Sequence, residues 1–200
     1  MHTSELTKQN QDTKQVIFSA AAQLFARKGY NGVSMREISE QCGLSKPAIY
    51  YYFGSKEGIY EELIDTGLQH VFSSLDEIVV LNISAKEKLI LMTKKFFQLT
   101  VEAPEFAKFF MTIVTPLSDN AILDKFKKKM KSQGGALAKV VQEGIKSGEF
   151  GAGAKPELAA QIIGGVWQHF VWQQLASEKR VLTDTLAEQV IEILFKGLNE

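Results

Sequence analysis

The sequence predicts an all-α chain in two parts, a compact three-helix unit at the N-terminus and a larger helical body behind it. Three observations carry this. Apolar residues recur at three- and four-residue intervals through most of the chain. Several of these segments are preceded by Ser or Thr and followed by Gly, as helix caps are. No stretch alternates apolar and polar residues with the two-residue period of a half-buried strand.

The elements follow in order. In TKQVIFSAAAQLFARKG, Val16, Ile17, Ala20, Ala21, Leu24 and Phe25 form an apolar stripe of helical period. Thr13 is the expected start cap and Gly29 the stop, with Arg27 and Lys28 in the last turn, where cations complement the helix dipole. Ser34 is expected to cap a short helix over MREISEQC, which places Met35, Ile38 and Cys42 on one face. Gly43 breaks it, and Ser45 caps KPAIYYYF, with Pro47 accommodated in the first turn. Gly54 ends that helix, and Ser55 caps the next, expected from Lys56 to about Ser73. Further helices are expected over 85–102, 104–115, 120–147, 156–177 and 183–198, separated by APE, TPLSDN, SGEFGAGAKPE and SEKRVLTD.

Composition narrows the function classes. The chain has 200 residues, a formal net charge of zero and one cysteine, Cys42, so no internal disulfide can form. No apolar run has the roughly 18 residues of a membrane-spanning helix, and the polar N-terminus MHTSELTKQNQDTKQ is no secretory signal, so a cytoplasmic location is expected. Charge is unevenly placed. Residues 8–56 hold seven basic residues against three acids, whereas 57–200 hold 16 against 19. A basic N-terminal quarter on a neutral chain points to a polyanion partner for that quarter.

The stretch GLSKPAIYYYFGSKEGIY sharpens that expectation. On a helix over 46–53, Lys46, Pro47, Tyr50 and Tyr51 fall on one half, while Ala48, Ile49, Tyr52 and Phe53 fall on the other. The second half extends the apolar face of Ile38, Cys42 and Leu44, leaving two tyrosines beside a lysine on a solvent face. Two short helices joined by a Gly-containing turn, the second carrying such a face, form a helix-turn-helix (about 35–54), whose second helix enters the major groove of double-stranded DNA. Phenol, hydroxyl and ammonium groups bond phosphate oxygens, and ring edges meet thymine methyls. Three helix N-termini, at Ser34, Ser45 and Ser55, near Arg36, Lys46 and Lys56, would add a phosphate-gripping rim.

The run AAQLFARKGYNGVSMREISEQCGLSKPAIYYYFGSKEGIY resembles the DNA-binding domain of the tetracycline-repressor (TetR) family. Ala21, Leu24, Phe25, Gly29, Tyr30, Ser34, Ile38, Gly43, Lys46, Tyr50, Phe53, Lys56 and Glu57 match without a gap over roughly residues 12–60. The resemblance implies an all-helical homodimer that represses transcription and leaves DNA when a small molecule binds. It implies DNA contacts at Ser34, Arg36, Ser45, Lys46, Pro47, Tyr50, Tyr51, Tyr52 and Lys56. Pro47 stands where the family commonly has a small residue and Tyr52 where it commonly has histidine, so the operator sequence does not carry over. A DNA-binding domain over 12–60 and an effector-binding and dimerisation domain over 61–200 are expected. The alternatives are an activator, or a helix-turn-helix protein that answers to no effector.

The C-terminal body supplies the rest. In GGVWQHFVWQQLA, Gly164 and Gly165 each cost a helix about 1 kcal/mol relative to Ala, which calls for a close neighbour or a ligand. Ile162, Ile163, Val166, Trp167, Phe170, Val171, Trp172 and Leu175 make the helix apolar nearly all round, and Leu186, Val190, Ile193, Leu194 and Leu198 follow in the last helix. These two helices suit a two-fold homodimer interface within 156–198. The body's many rings suggest a cavity for a hydrophobic or amphipathic effector, with Phe96, Phe109, Trp167, His169, Phe170 and Gln173 as candidate ligand-binding residues. KFKKKMK, 125–131, reads as a solvated helix face with Phe126 and Met130 turned inward. His2, His70 and His169 lack a ligand spacing, the Gly-rich 148–154 lacks the lysine and strand of a phosphate loop, and Cys42 lies on an apolar face. No metal, cofactor or catalytic residue is therefore expected.

Overall fold

The structure, a computed structural model, describes the backbone of residues 2–113, 120–133 and 135–198. Among them are ten helices and no strand: α1 (His2–Lys28), α2 (Met35–Cys42), α3 (Lys46–Phe53), α4 (Lys56–Val79), α5 (Ala85–Glu102), α6 (Pro104–Ile113), α7 (Asn120–Gln133), α8 (Ala136–Ser147), α9 (Pro156–Ala176) and α10 (Asp184–Leu198). The chain forms two compact units. One holds residues 1–67 and 105–123, the other 68–104 and 124–200.

In the first unit, α1 to α3 and the start of α4 close over Ile17, Phe18, Leu24, Phe25, Ile38, Ile49, Phe53, Ile59 and Leu63, all buried. An aromatic cluster ties in α6. Phe25 and Phe109 both meet the Tyr60 ring edge-on at 5.0 Å, and Tyr30 lies 4.9 Å from it. Gly67 of α4 belongs here, because a Cβ at that position would lie 2.6 Å from the Phe110 ring. Two sequence expectations need correction. α1 starts at His2, so Thr13 is an interior helical residue and not its start; residues 3–12 contain neither Gly nor Pro to stop the helix earlier. The buried stripe is also turned by about a residue. Val16 is 47% exposed, while Phe18 is buried and packs 5.1 Å from Phe53.

The second unit is built on α5, which packs against α8, α9 and α10. Its core contains Leu75, Leu89, Met92, Phe97, Val140, Val141, Phe150, Ile163, Trp167, Leu182, Ala187 and Ile191. Gly144 allows α8 to close on its neighbours, since a Cβ there would lie 2.3 Å from Phe150 and 2.9 Å from Ala85. Buried Lys88 snorkels out of this core: its Nζ donates to the Val79 carbonyl and the Glu143 carboxylate, both at 2.7 Å. Ser84 and Glu87 form a capping box at the start of α5. Glu149 accepts from the Ala85 and Lys86 amides, at 3.1 and 3.3 Å.

Two helix boundaries also differ. α4 runs on to Val79 because Leu75 and Ile78 continue its apolar period. The expected helix 120–147 is two helices, α7 and α8, parted at a pair of adjacent glycines in the sequence, Gly134 and Gly135. The expected end of the 104–115 helix lies outside the described residues. Phe126 is buried as expected, whereas Met130 is 39% exposed.

Candidate nucleic-acid interface

α2 and α3 are short, and each terminus is set by a local device. Ser34 accepts from the Glu37 amide, and Glu37 in turn accepts from the Ser34 amide at 2.8 Å, a closed capping box. Ser45 accepts from the Ala48 amide at 3.4 Å, and Pro47 occupies the first turn, where a missing amide hydrogen costs nothing. Gly43, at φ +70°, ends α2 in the left-handed conformation and turns the chain into α3. The Ser39 hydroxyl donates to the Leu44 carbonyl inside that turn. Ile38, Ile49 and Phe53 bury the inner faces of both helices.

The inner faces settle what faces out. Ser45, Lys46 and Pro47 are exposed, and Tyr50 and Tyr51 are 48% and 82% exposed. Tyr52 is half-buried, with its ring edge-on to Tyr51 at 5.2 Å. Ser34 and Arg36 are exposed on α2, and Arg36 pairs with Glu40 at 2.7 Å. That bond uses Nε alone of the five N–H donors of the guanidinium, so a phosphate need not displace the carboxylate. At the start of α4, Ser55 accepts from the Gly58 amide at 3.0 Å.

Lys56, expected at a phosphate, makes contacts within the chain. Its Nζ donates to the Tyr30 and Val33 carbonyls, at 2.9 and 2.8 Å, and lies 4.3 Å from the Tyr30 ring centre. The ammonium clasps the loop that presents Ser34, so it positions one edge of the surface. Cys42 is half-buried rather than buried, with its thiol 3.7 Å from the Ser39 carbonyl.

Glu37 was missed, although Ser-x-x-Glu ahead of an apolar run is a legible capping signature. It accepts from Lys28 Nζ at 2.6 Å and from the Ser34 amide and hydroxyl at 2.8 Å each. Those bonds, the one from Lys28 foremost, lower its carboxyl to about 2.

Of the six candidate ligand residues, Phe109 belongs to the first unit and the other five to the second. Phe109 is fully buried in the first unit. Phe96 and Trp167 stack in the second, with ring centres 4.5 Å apart and planes 15° from parallel. Trp167 donates its indole hydrogen to the buried Thr93 hydroxyl at 3.1 Å. Thr93 escaped sequence reasoning, since a lone Thr in an apolar helix carries no pattern. Phe170 meets the Phe97 ring edge-on at 6.3 Å. His169 and Gln173 are exposed and bond each other at 3.0 Å, because they lie across α9 from buried Ile163, Trp167 and Val171. The second unit also carries an open cleft of about 390 Å³ lined by Phe97, Val101, Leu182, Lys94, Arg180 and Asp184 among others. Of the six candidates, none is among its lining residues. No helix of the described residues is long and apolar enough to cross a membrane.

Comparison with known proteins agrees with this geometry. Residues 17–63 match the family model described as bacterial regulatory proteins, tetR family, and residues 68–197 match the C-terminal region of the YsiA-like protein. A fatty acid metabolism regulator protein of Bacillus subtilis (strain 168) is 29% identical over 196 residues, spanning 96% of this chain and 98% of that protein. The HTH-type transcriptional repressor KstR2 of Rhodococcus jostii (strain RHA1) is 23% identical, over 91% and 89%. The solved structure of the transcriptional regulator FadR from Bacillus subtilis in complex with stearoyl-CoA superposes with a TM-score of 0.76, at 28% identity, over 92% of this chain and 98% of that one. With matched regions spanning nearly its whole length, the chain belongs to the tetR family of bacterial regulatory proteins, as a helix-turn-helix transcriptional regulator that binds DNA.

Proposed function

We propose that this chain is a homodimeric repressor that grips a palindromic operator and is released by a long-chain fatty acyl-CoA or a similar amphipathic molecule. The observation that carries the DNA half is the outward face of α3, where Lys46, Pro47, Tyr50 and Tyr51 stand exposed over a rigid apolar underside. In this reading residues 12–60 bind DNA. Tyr50, Tyr51 and Pro47 meet base edges and backbone, and Lys46, Arg36, Ser34, Ser45 and Tyr52 hold phosphates. Lys56 positions the rim without touching DNA. One three-helix unit covers only a half-site, and two copies on a palindrome cover both. Exposed Leu158, Ile162, Trp172 and Ile193, on α9 and α10, support a homodimer through 156–198.

The effector class rests on two supports. One relative that spans nearly the whole chain is named a fatty acid metabolism regulator protein, and a similar solved structure holds stearoyl-CoA. The second unit, within the effector and dimerisation part 61–200, surrounds Phe96, Trp167 and Phe170 with apolar side chains. An acyl chain would enter there. Release requires the effector to bind the DNA-free arrangement more tightly, by about 1–3 kcal/mol for ordinary coupling. The test is fluorescence anisotropy on duplexes from the DNA flanking the gene, with stearoyl-CoA, coenzyme A and stearate added separately. Repression predicts tight binding that stearoyl-CoA weakens by about 5- to 150-fold and coenzyme A does not. Binding indifferent to every acyl compound removes the effector half. Activation of a reporter by the unliganded protein replaces repressor with activator.

A further inference from the structure

The outer face of α9 has a pattern that nothing within one protomer explains. Leu158, Ile162, Gly165, His169, Trp172 and Ala176 are all exposed, and their alternating spacing of four and three residues sets them in one straight stripe. Their angles fall within about 40° of a common line at 100° per residue. Leu158, Ile162 and Trp172 are 51%, 48% and 54% exposed. Charge is almost absent: in the 21 residues of α9, only Glu157 is ionised when histidine is neutral. A helix face left in water ordinarily carries charge.

The glycines add an independent observation. Gly67 and Gly144 are small for a visible reason, with Phe110 and Phe150 where a Cβ would go. At Gly164 and Gly165 a Cβ would meet nothing within 4 Å. Two glycines weaken a helix without any neighbour among the described residues that needs their space. For Gly165, at the centre of the exposed stripe, the neighbour must come from outside.

We infer that two copies pair along α9, antiparallel, with the molecular two-fold axis passing beside Gly165. This rests on the homodimer proposed above and adds its register. A two-fold at Gly165 pairs each residue with the one equally far on its other side. Leu158 lies seven residues before Gly165 and Trp172 seven after. Each Trp172 indole therefore covers the partner's Leu158, about 10 Å from the axis. Ile162 meets the segment around Gln168 and His169. With Cα atoms about 2.3 Å from the helix axis, helices 8–10 Å apart leave about 3.4–5.4 Å between facing Cα atoms. That gap admits two glycines and excludes two larger side chains. The stripe is self-complementary, as an isologous interface requires, and no charge is placed against its own copy.

Cysteine cross-linking tests this in the full chain, with Cys42 replaced by Ser. Oxidised Gly165→Cys should form a covalent dimer, because at interaxial distances of about 9–10 Å the facing Cα atoms lie about 4.4–5.4 Å apart, within the disulfide range of about 4.4–6.8 Å. Leu158→Cys and Trp172→Cys should each remain uncross-linked, and the double variant L158C/W172C should cross-link. Gly165→Trp has room within the protomer, so its helical circular dichroism should match the parent. Its dimer dissociation constant should rise by about 30-fold or more, the loss typical of a central interface residue. A parent that sediments as a dimer while G165C stays uncross-linked overturns the axis position. Cross-linking of G165C without L158C/W172C, or of L158C alone, overturns the antiparallel register. A parent that sediments as a monomer at micromolar concentration overturns the homodimer itself, and the register with it.

Discussion

Replacing Lys56 with Met separates two roles for one residue. Sequence resemblance places Lys56 among the DNA contacts, whereas the structure spends its ammonium on the Tyr30 and Val33 carbonyls, at 2.9 and 2.8 Å, and on the Tyr30 ring. Met keeps the aliphatic stem and removes only the charge and the donors. A hydrogen bond from a charged donor contributes about 1.5–3 kcal/mol when shielded, and a cation over an aromatic ring about 0.5–1 kcal/mol. Lys56 is half-buried, so solvent screening favours the lower values, and both carbonyls regain some water when it is lost. A net loss of about 2 kcal/mol follows, which lowers the melting temperature of a chain this size by about 4–8 °C. The loop at 30–33 would loosen and Ser34 with it, so operator affinity falls modestly. The dependence of affinity on salt should not change, because no phosphate contact is lost. Melting by circular dichroism and anisotropy across a salt series read both quantities. If the variant melts with the parent and its slope of log affinity against log salt shrinks by about 0.9, Lys56 is a phosphate ligand and the clasp argument is wrong.

Four further outcomes are expected. Tyr51→Ala and Lys46→Ala should weaken operator binding while leaving the melting temperature unchanged, since both side chains are exposed; K46A alone should reduce the salt slope, by about 0.9. Glu37, lowered to about 2 by Lys28 and Ser34, contributes stability that is complete above its unfolded value near 4.5 and is lost as pH falls toward 2; carboxyl-carbon NMR titration should find a midpoint near 2, and Glu37→Gln should remove that part of the acid sensitivity. Gly144→Ala should destabilise by about 1–2 kcal/mol in urea, the overpacking against Phe150 and Ala85 exceeding the gain in helix propensity. Thr93→Val keeps the shape but strands the Trp167 indole hydrogen in the core, costing about 1–3 kcal/mol, with the fluorescence of Trp167 shifted when Trp172 is replaced by Phe.

Most of the local structure is legible in short stretches of sequence. Ser34, Ser45, Ser55, Gly43 and Gly54 bracket α2, α3 and the start of α4, because caps and left-handed turns are short-range chemistry. The phase of α3 follows from one turn of apolar spacing, so Lys46, Tyr50 and Tyr51 could be assigned to solvent before any coordinates. Helices α5, α9 and α10 fell within a residue of their expected ends for the same reason. Other features depend on neighbours distant in the chain, which no local pattern encodes. The destination of the Lys56 ammonium was set by a loop 23–26 residues earlier. The membership of Phe109 in the first unit reflects the packing of α6 there, against Tyr60 and Phe25, although α6 follows α5 of the second unit closely in the chain. The outward direction of His169 and Gln173 could not be read from periodicity, because α9 is apolar nearly all round and its mean pattern names no inner face. Only the positions of α5 and α8 chose Ile163, Trp167 and Val171 as that face, leaving Leu158, Gly165 and Trp172 in a row on the other.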